Sequence, residues 1–446
     1  MNRLNNTNSK TLRKSIHLVT GLLILLLTYL VDKQSLLIII VAGSVFAFAS
    51  FNYKTFGLLH KTADASLGTL FYPLGVLLSF VLLYDMPFYF FRITLLILTV
   101  SDTIANISGQ IKPGNYYFKP FREEKSLYGV IGFALSALLI FYLFLPESLF
   151  GIEAYVLLAI LLSVNFEVLS YRGSDNFSIP VGSALYFLIM DVHEGNLLFF
   201  TGVILISALG SFLLYKKRII SKYGSVATYF LGVYFLGVLG YEWLLPVLAF
   251  FVTSVLFTML NTCLRRKKPS SNRRNVWQVL ANINWALVAS VLFLISGEKM
   301  FIYLFILMIA AVTADTWASE IGPVFHKNCF SLAHLRMKQS GVSGGISLAG
   351  TVAAMLGSLF ISGFSYYLFF DEVYIPLIIV FWVSGFLASF VDSLLGAFVE
   401  PSLNKQPFLR TGMKKNMERI SPNDIVNILG SLSAAVFFFV LYLIVL

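Results

Sequence analysis

Acid inside apolar sequence marks chemistry, because charge at bilayer depth costs free energy and is kept for a pathway, a metal or a reaction centre. Residues 314–322, ADTWASEIG, close an apolar run with two carboxylates, Asp315 and Glu320. Helix geometry puts Asp315 and Ser319 on one face but turns Glu320 about 140° away, so the two acids converge only if the helix ends between them. Asp102 opens a second candidate region. It is followed by a glycine-containing loop, several cations, then Lys125-Ser126 and Gly129. Glycine permits close backbone approach, a helix start binds anions, lysine neutralises phosphate and Asp102 could hold Mg2+, which describes a nucleotide-phosphate cradle. A solvated basic loop behind an interfacial Asp is the other reading. Glu167 lies about a turn inside an apolar helix and must find a partner. Asp175-Asn176, after the turn at Gly173, suit either a ligand pair or an N-cap. In the second half, GVSGGIS at 341–347 follows Arg336 and Lys338 and offers the amides of Gly344 and Gly345 to an anion, or packs small residues closely. Asp392, Glu400, Asp424 and Asn427 complete the polar set, with Asp424 and Asn427 three apart on one face.

The elements that must position these residues are membrane helices. The chain has 446 residues, 58% hydrophobic and 12% charged, where a soluble domain carries roughly a quarter charged. The runs are of helix length, not the short alternating stretches of a spanning strand. They fall near 16–31, 35–52, 67–84, 88–105, 128–146, 151–170, 179–190, 196–215, 225–240, 243–263, 276–297, 300–318, 343–363, 373–398 and 424–446. The expected fold class is therefore all-α, a polytopic integral membrane helical bundle of about 15 transmembrane helices. It is divided into two halves, 1–215 and 220–446, at the polar stretch YKKRIISKYGS, 215–225. No repeat between the halves is evident at the residue level, and no soluble domain is expected.

Charge orients the bundle. With the N-terminus cytoplasmic, only Lys33, Arg92 and Lys299 of the 32 Lys and Arg fall outside, whereas Asp85, Asp191, Glu194, Asp371 and Glu372 are among the acids that do. The net charge of +10 is thus mainly a topology signal, with anchoring to anionic lipid as its plain reading and no nucleic-acid partner implied. Cys263 and Cys329 sit beside basic stretches, which argues against a disulfide frame, a cysteine metal site or redox chemistry. The polar first 17 residues lack a secretory cleavage site, so the first apolar run is expected to stay as a helix in a multi-pass protein of the bacterial inner membrane. On this topology Asp102, Glu167, Asp315, Glu320, Asp392 and Asp424 share the cytoplasmic side, where a water-soluble substrate can meet a lipid-soluble one.

The residues also carry a resemblance. Arg13-Lys14-x-x-His17, Asp102 with Gly109, Lys125-Ser126-x-x-Gly129, Glu167, and Asp175-Asn176 with Pro180 resemble the membrane polyprenol kinase superfamily that includes phytol kinase and dolichol kinase, over about 11–215. Ser101 stands where that family usually has glycine. Gln278 to Asn282, Ala314 to Gly322, Gly341 to Ser347, Asp392 to Ala397 and Asn423-Asp424-x-Val-Asn427 resemble the DUF92 family, which contains plant phytyl-phosphate kinase, over about 220–446. Val342-Ser343 replaces the usual Gly-Thr there.

The resemblance implies two consecutive kinases in one chain. The first half would transfer phosphate from CTP to an isoprenoid alcohol of phytol or geranylgeraniol type, and the second would add another to give the diphosphate. The catalytic carboxylates would be Asp102, Glu167, Asp315 and Asp392, with Asp102, Asp175, Asp315, Glu320, Asp392 and Asp424 as Mg2+ ligands. Arg13, Lys14, Lys125, Arg336 and Lys338, with Gly344 and Gly345, would meet nucleotide phosphates. His17 is either a base or an interface and cap residue. Other readings of the same residues are a transporter or scramblase of isoprenoid phosphates, a membrane scaffold with one inactive half, and a cytidylyltransferase that makes a CDP-lipid. Oligomeric state is left open.

Overall fold

The computed structural model describes residues 2–53, 68–111, 114–119, 124–146, 153–170, 173–264, 273–325, 328–332, 335–339, 344–403 and 420–445. Two compact units divide at 200/201. The division falls inside the helix Leu197–Lys216, whose Ser207 lies against Gly232 of the next helix, so the later part of that helix packs with the second unit.

The first unit runs α1 (Asn2–Leu30), α2 (Lys33–Tyr53), α3 (Gly68–Leu82) and α4 (Phe88–Leu96). A π-helical segment, Ile97–Ser101, passes directly into α5 (Asp102–Ser108). The short strands β1 (Tyr117–Phe118) and β2 (Lys125–Ser126) pair antiparallel and lead to α6 (Leu127–Phe144), α7 (Glu153–Leu169) and α8 (Asp175–Val192). The core lies around α8, which is buried continuously from Ser178 to Ile189. An all-round buried helix belongs at the centre of a bundle. Helix α3 closes on it through Gly75, where a methyl group would come within 2.9 Å of Pro180 and 3.0 Å of the Phe177 backbone.

The second unit continues with α9 (Leu197–Lys216), α10 (Lys222–Gly232), a π-helical segment Val233–Leu239, α11 (Tyr241–Leu264), α12 (Val276–Ser296) and α13 (Lys299–Phe325). A three-stranded antiparallel sheet follows, ordered β4 (Arg336–Gln339), β3 (Asn328–Ser331), β5 (Gly345–Ile346). The unit ends with α14 (Leu348–Phe369), α15 (Ile375–Phe398), the single turn α16 (Glu400–Leu403) and α17 (Pro422–Val445). Its central helix is α13, buried from Phe305 to Ala314. Small residues let neighbours approach: at Gly385 of α15 a methyl group would stand 3.0 Å from the Ala310 side chain and 2.6 Å from Ser358 Oγ.

Each of the fifteen expected crossings has a helical counterpart. Among the described residues nine helices are long and apolar enough to cross a membrane, and four shorter apolar ones accompany them. The remaining two, α8 and the run 222–239, fall outside both groups. The protein is a polytopic helical membrane protein. Two of the cations assigned to the outer side have local work. Lys33 donates to the Tyr84 and Met86 carbonyls at 2.5 and 2.9 Å, and Arg92 donates to the Thr28 hydroxyl and carbonyl at 2.9 Å each.

Candidate functional sites

In the first unit three helices and the strand β2 converge on one cluster. Asp102, Glu167 and Asp175 each offer a carboxylate oxygen, all within 4.8 Å of one another. Asp102 is 7% and Glu167 9% exposed. The π segment ending at Ser101 widens the helix just before Asp102, a distortion that often accompanies functional sites. Lys125, from the strand entering α6, donates to Glu167 Oε1 at 2.7 Å and to Ser170 Oγ at 2.9 Å. The second Glu167 oxygen, Oε2, is buried and finds no hydrogen-bond partner among the described residues. Three carboxylates against one ammonium leave two negative charges when all are ionised, and an unsatisfied buried oxygen asks for a donor or a cation. Hard oxygen donors of this kind fit Mg2+.

The cradle expected around this cluster is organised differently. Lys125 is held in the ion pair with Glu167. Gly109 and Gly129 serve a helix crossing: a methyl group on either would meet the Ala105 carbonyl and Ser126 Oγ, each at 2.9 Å. Ser126 caps α6 by accepting from the Gly129 amide at 3.1 Å. His17 stacks on Tyr72 at 4.5 Å, which gives it a packing role. Arg13 and Lys14 lie on α1, with side chains outside the described residues.

In the second unit Asp315 of α13 and Asp392 of α15 come within hydrogen-bonding reach of each other. They line a cavity of about 10 Å3 with Asn427, Gly430 and Ser431 of α17, room for about one water or ion. A cation in that cavity would offset the repulsion between the two carboxylates. Gly430 makes the approach possible, since a methyl group there would run into the Asp392 side chain. Asn427 donates to Asn282 Oδ1 at 3.2 Å, and its own buried Oδ1 finds no hydrogen-bond partner among the described residues. The motifs containing Asn282 and Asn427 were visible in sequence, but Gly430 was not singled out, because its role depends on which helix crosses it.

Two expected ligands go elsewhere. Helix α13 continues five residues past Glu320 to Phe325, so Asp315 and Glu320 stay on different faces. Glu320 Oε1 accepts from the Thr258 hydroxyl at 2.7 Å and Oε2 from Asn261 at 2.9 Å, both on α11. Arg274, which donates to Ser254 and Thr258 at 2.8 and 3.3 Å, adds its charge to that polar seam. Asp424 is a capping residue: its Oδ2 accepts from the Ser421 amide at 2.6 Å while its own amide donates to Ser421 Oγ at 3.1 Å.

The glycine-rich entry to α14 is likewise occupied by the fold. Gly344 has φ +72° and sits against Ala397 of α15, and Gly345 pairs with Ser331 in the sheet. The helix begins at Leu348 instead of 343, because Ser347 caps it by accepting from the Gly350 amide at 3.2 Å. Arg336 lies exposed on β4, whereas the side chain of Lys338 and residues 341–343 lie outside the described residues.

These geometries expose a repeat that the sequence alone did not. Asp102-Thr-x-Ala105-x-x-x-Gly109 recurs as Asp315-Thr-x-Ala318-x-x-x-Gly322, and Ser126-Leu-x-Gly129 recurs as Ser347-Leu-x-Gly350. The contacts recur with them. A methyl group on Gly350 would meet Ser347 Oγ at 3.1 Å and the Ala318 carbonyl at 3.2 Å, as one on Gly129 would meet Ser126 and Ala105. A third pair extends the match: Gly182-Ser183 of α8 closes on Phe166 of α7, as Gly430-Ser431 of α17 closes on Asp392 of α15. Each unit thus sets an Asp seven residues before the glycine of the same helix crossing.

A phytol kinase of Synechocystis is 29% identical over 192 residues, 42% of this chain and 81% of that protein. An uncharacterized membrane protein of Methanocaldococcus jannaschii is 28% identical over 216 residues, 47% of this chain and 87% of its own length. A second Synechocystis membrane protein, also uncharacterized, is 26% identical over 203 residues, 43% of this chain and 76% of its own. No solved structure matches the chain. The family model for the integral membrane protein DUF92 matches residues 205–435, about half of the sequence, and the chain belongs to that family.

Proposed function

We propose that the protein is a membrane-embedded kinase that phosphorylates an isoprenoid alcohol twice. The first unit forms the monophosphate and the second the diphosphate, with CTP as donor. The observation that carries this reading is the repeated crossing, which gives both units a carboxylate at the same place in the same helix framework. The likeness to a phytol kinase supplies the substrate class. Membrane helices around each acid site give a hydrocarbon chain a place to lie.

Phosphoryl transfer asks mainly for positioning and charge neutralisation. In the first unit Asp102 and Asp175, with the unpartnered oxygen of Glu167, would hold Mg2+, which when bound neutralises charge on the donor phosphates. Lys125 holds Glu167 in place, and the remaining carboxylate oxygens of the cluster are the groups able to accept the hydroxyl proton. In the second unit Asp315, Asp392 and the Asn427 carbonyl oxygen form the corresponding oxygen set. The acceptor there is already a phosphate monoester, so that step needs no strong base.

A cytidylyltransferase would join CTP to a lipid by releasing pyrophosphate, whereas a kinase releases CDP. Purified protein with Mg2+, CTP and geranylgeraniol is therefore expected to release CDP; pyrophosphate without CDP would replace this reading. One observation favours a second reading for the second unit alone. Asp315 lies ten residues before the end of its helix, facing Asp392, and buried acid pairs at such depth also serve ion relays. Flux of an isoprenoid phosphate through liposomes with no CDP formed would favour transport.

A further inference from the structure

A cavity of about 290 Å3 opens in the first unit at the far end of the helices that carry the acid cluster. Phe90 of α4, Phe141 of α6, Val156 of α7, and Tyr186, Phe187 and Met190 of α8 line it. The same helices supply the cluster. Asp102 continues α4 through the π segment, Lys125 precedes α6, Glu167 ends α7 and Asp175 begins α8.

Helical rise measures the separation. Twelve residues from Phe90 to Asp102 span somewhat less than about 18 Å, since the π segment Ile97–Ser101 rises less per residue, eleven from Val156 to Glu167 about 16 Å, and fifteen from Asp175 to Met190 about 22 Å. The walls are apolar and aromatic: the Phe187 ring centroid lies 4.8 Å from that of Phe90 and 6.1 Å from that of Phe141. Asp191 and Glu194, both exposed, also line it and disfavour an anion there. This volume is at the lower end for small-molecule sites, so it suits part of a ligand.

We propose that this cavity receives the distal end of the isoprenoid chain whose hydroxyl lies at the acid cluster, so that the first unit selects its alcohol by length. An extended carbon chain advances about 1.25 Å per bond, given a bond of about 1.5 Å. The separation of about 16 to 22 Å then corresponds to roughly 13 to 18 bonds, a chain of about four isoprene units. Shorter alcohols leave the cavity unfilled and lose its apolar contact. The proposal rests on the reading of the first unit as an alcohol kinase.

The test needs no turnover. A four-isoprene alcohol with a photoreactive diazirine at its far end is bound to the full-length protein in nanodiscs without nucleotide, irradiated and mapped. The expected label falls on peptides containing Phe141, Val156 or Tyr186 to Met190, and excess unlabelled alcohol removes it. Val156→Trp, which fills the cavity, should cut that labelling by about tenfold or more. The same variant should leave binding of a two-isoprene alcohol unchanged. Competable label elsewhere in the protein overturns the tail pocket and leaves the kinase reading standing. An absence of competable label overturns the pocket too, and CDP release from the wild-type protein then decides the kinase reading separately. If Val156→Trp fails to fold, the wild-type labelling map alone decides.

Discussion

Lys125 and Glu167 are 2.7 Å apart with side chains only 13% and 11% exposed, so each stabilises the charge of the other. Removing one partner of such a pair leaves an uncompensated buried charge and costs about 3–5 kcal/mol. Lys125→Met should therefore lower the thermal unfolding temperature sharply, and adding Glu167→Gln should recover most of the loss. A double variant no more stable than Lys125→Met would show that the pair does not carry this energy. Gly430 gives a steric prediction. Gly430→Ala drives a methyl group into Asp392 and is expected to cost about 1–3 kcal/mol, with loss of the second phosphorylation. Gly363→Ala in the same unit meets nothing within 4 Å and should stabilise its helix by about 0.5–1 kcal/mol. Thermal unfolding of both variants in one detergent checks the contrast.

At the scale of elements, the helices were legible because apolar length and charged breaks are local properties of the chain. What partners an acid was not. Asp315 and Glu320 are five residues apart in sequence, yet α13 sends one to Asp392 and the other to Thr258 and Asn261. The resemblance implied Asp424 as a ligand, but Ser421, three residues earlier, pairs with it as a cap. The two roles on α13 separate by variant. Asp315→Asn is expected to abolish the second phosphorylation with little change in unfolding temperature. Glu320→Gln is expected to keep activity but lower stability by about 1–3 kcal/mol, since it weakens buried hydrogen bonds. Activity lost in Glu320→Gln at unchanged stability would return that residue to the reacting site.

At the scale of the whole molecule, the repeat escaped sequence inspection because few side chains carry it. The crossing needs glycine where two backbones meet, a serine cap three residues before one of them, and an Asp seven residues before the other. The positions between are free to vary within apolar limits, and the connecting segments differ in length, from Gly109 to Ser126 in one unit and Gly322 to Ser347 in the other. If both copies work, damage to one should leave the other intact. Asp102→Asn should stop formation of the monophosphate while added monophosphate is still converted, and Asp315→Asn should make the monophosphate accumulate. The most direct test of the account is product analysis of the purified protein with Mg2+, CTP and labelled geranylgeraniol, resolving alcohol, monophosphate and diphosphate. The account predicts diphosphate with two CDP released per alcohol; no CDP with either the alcohol or its monophosphate would contradict it.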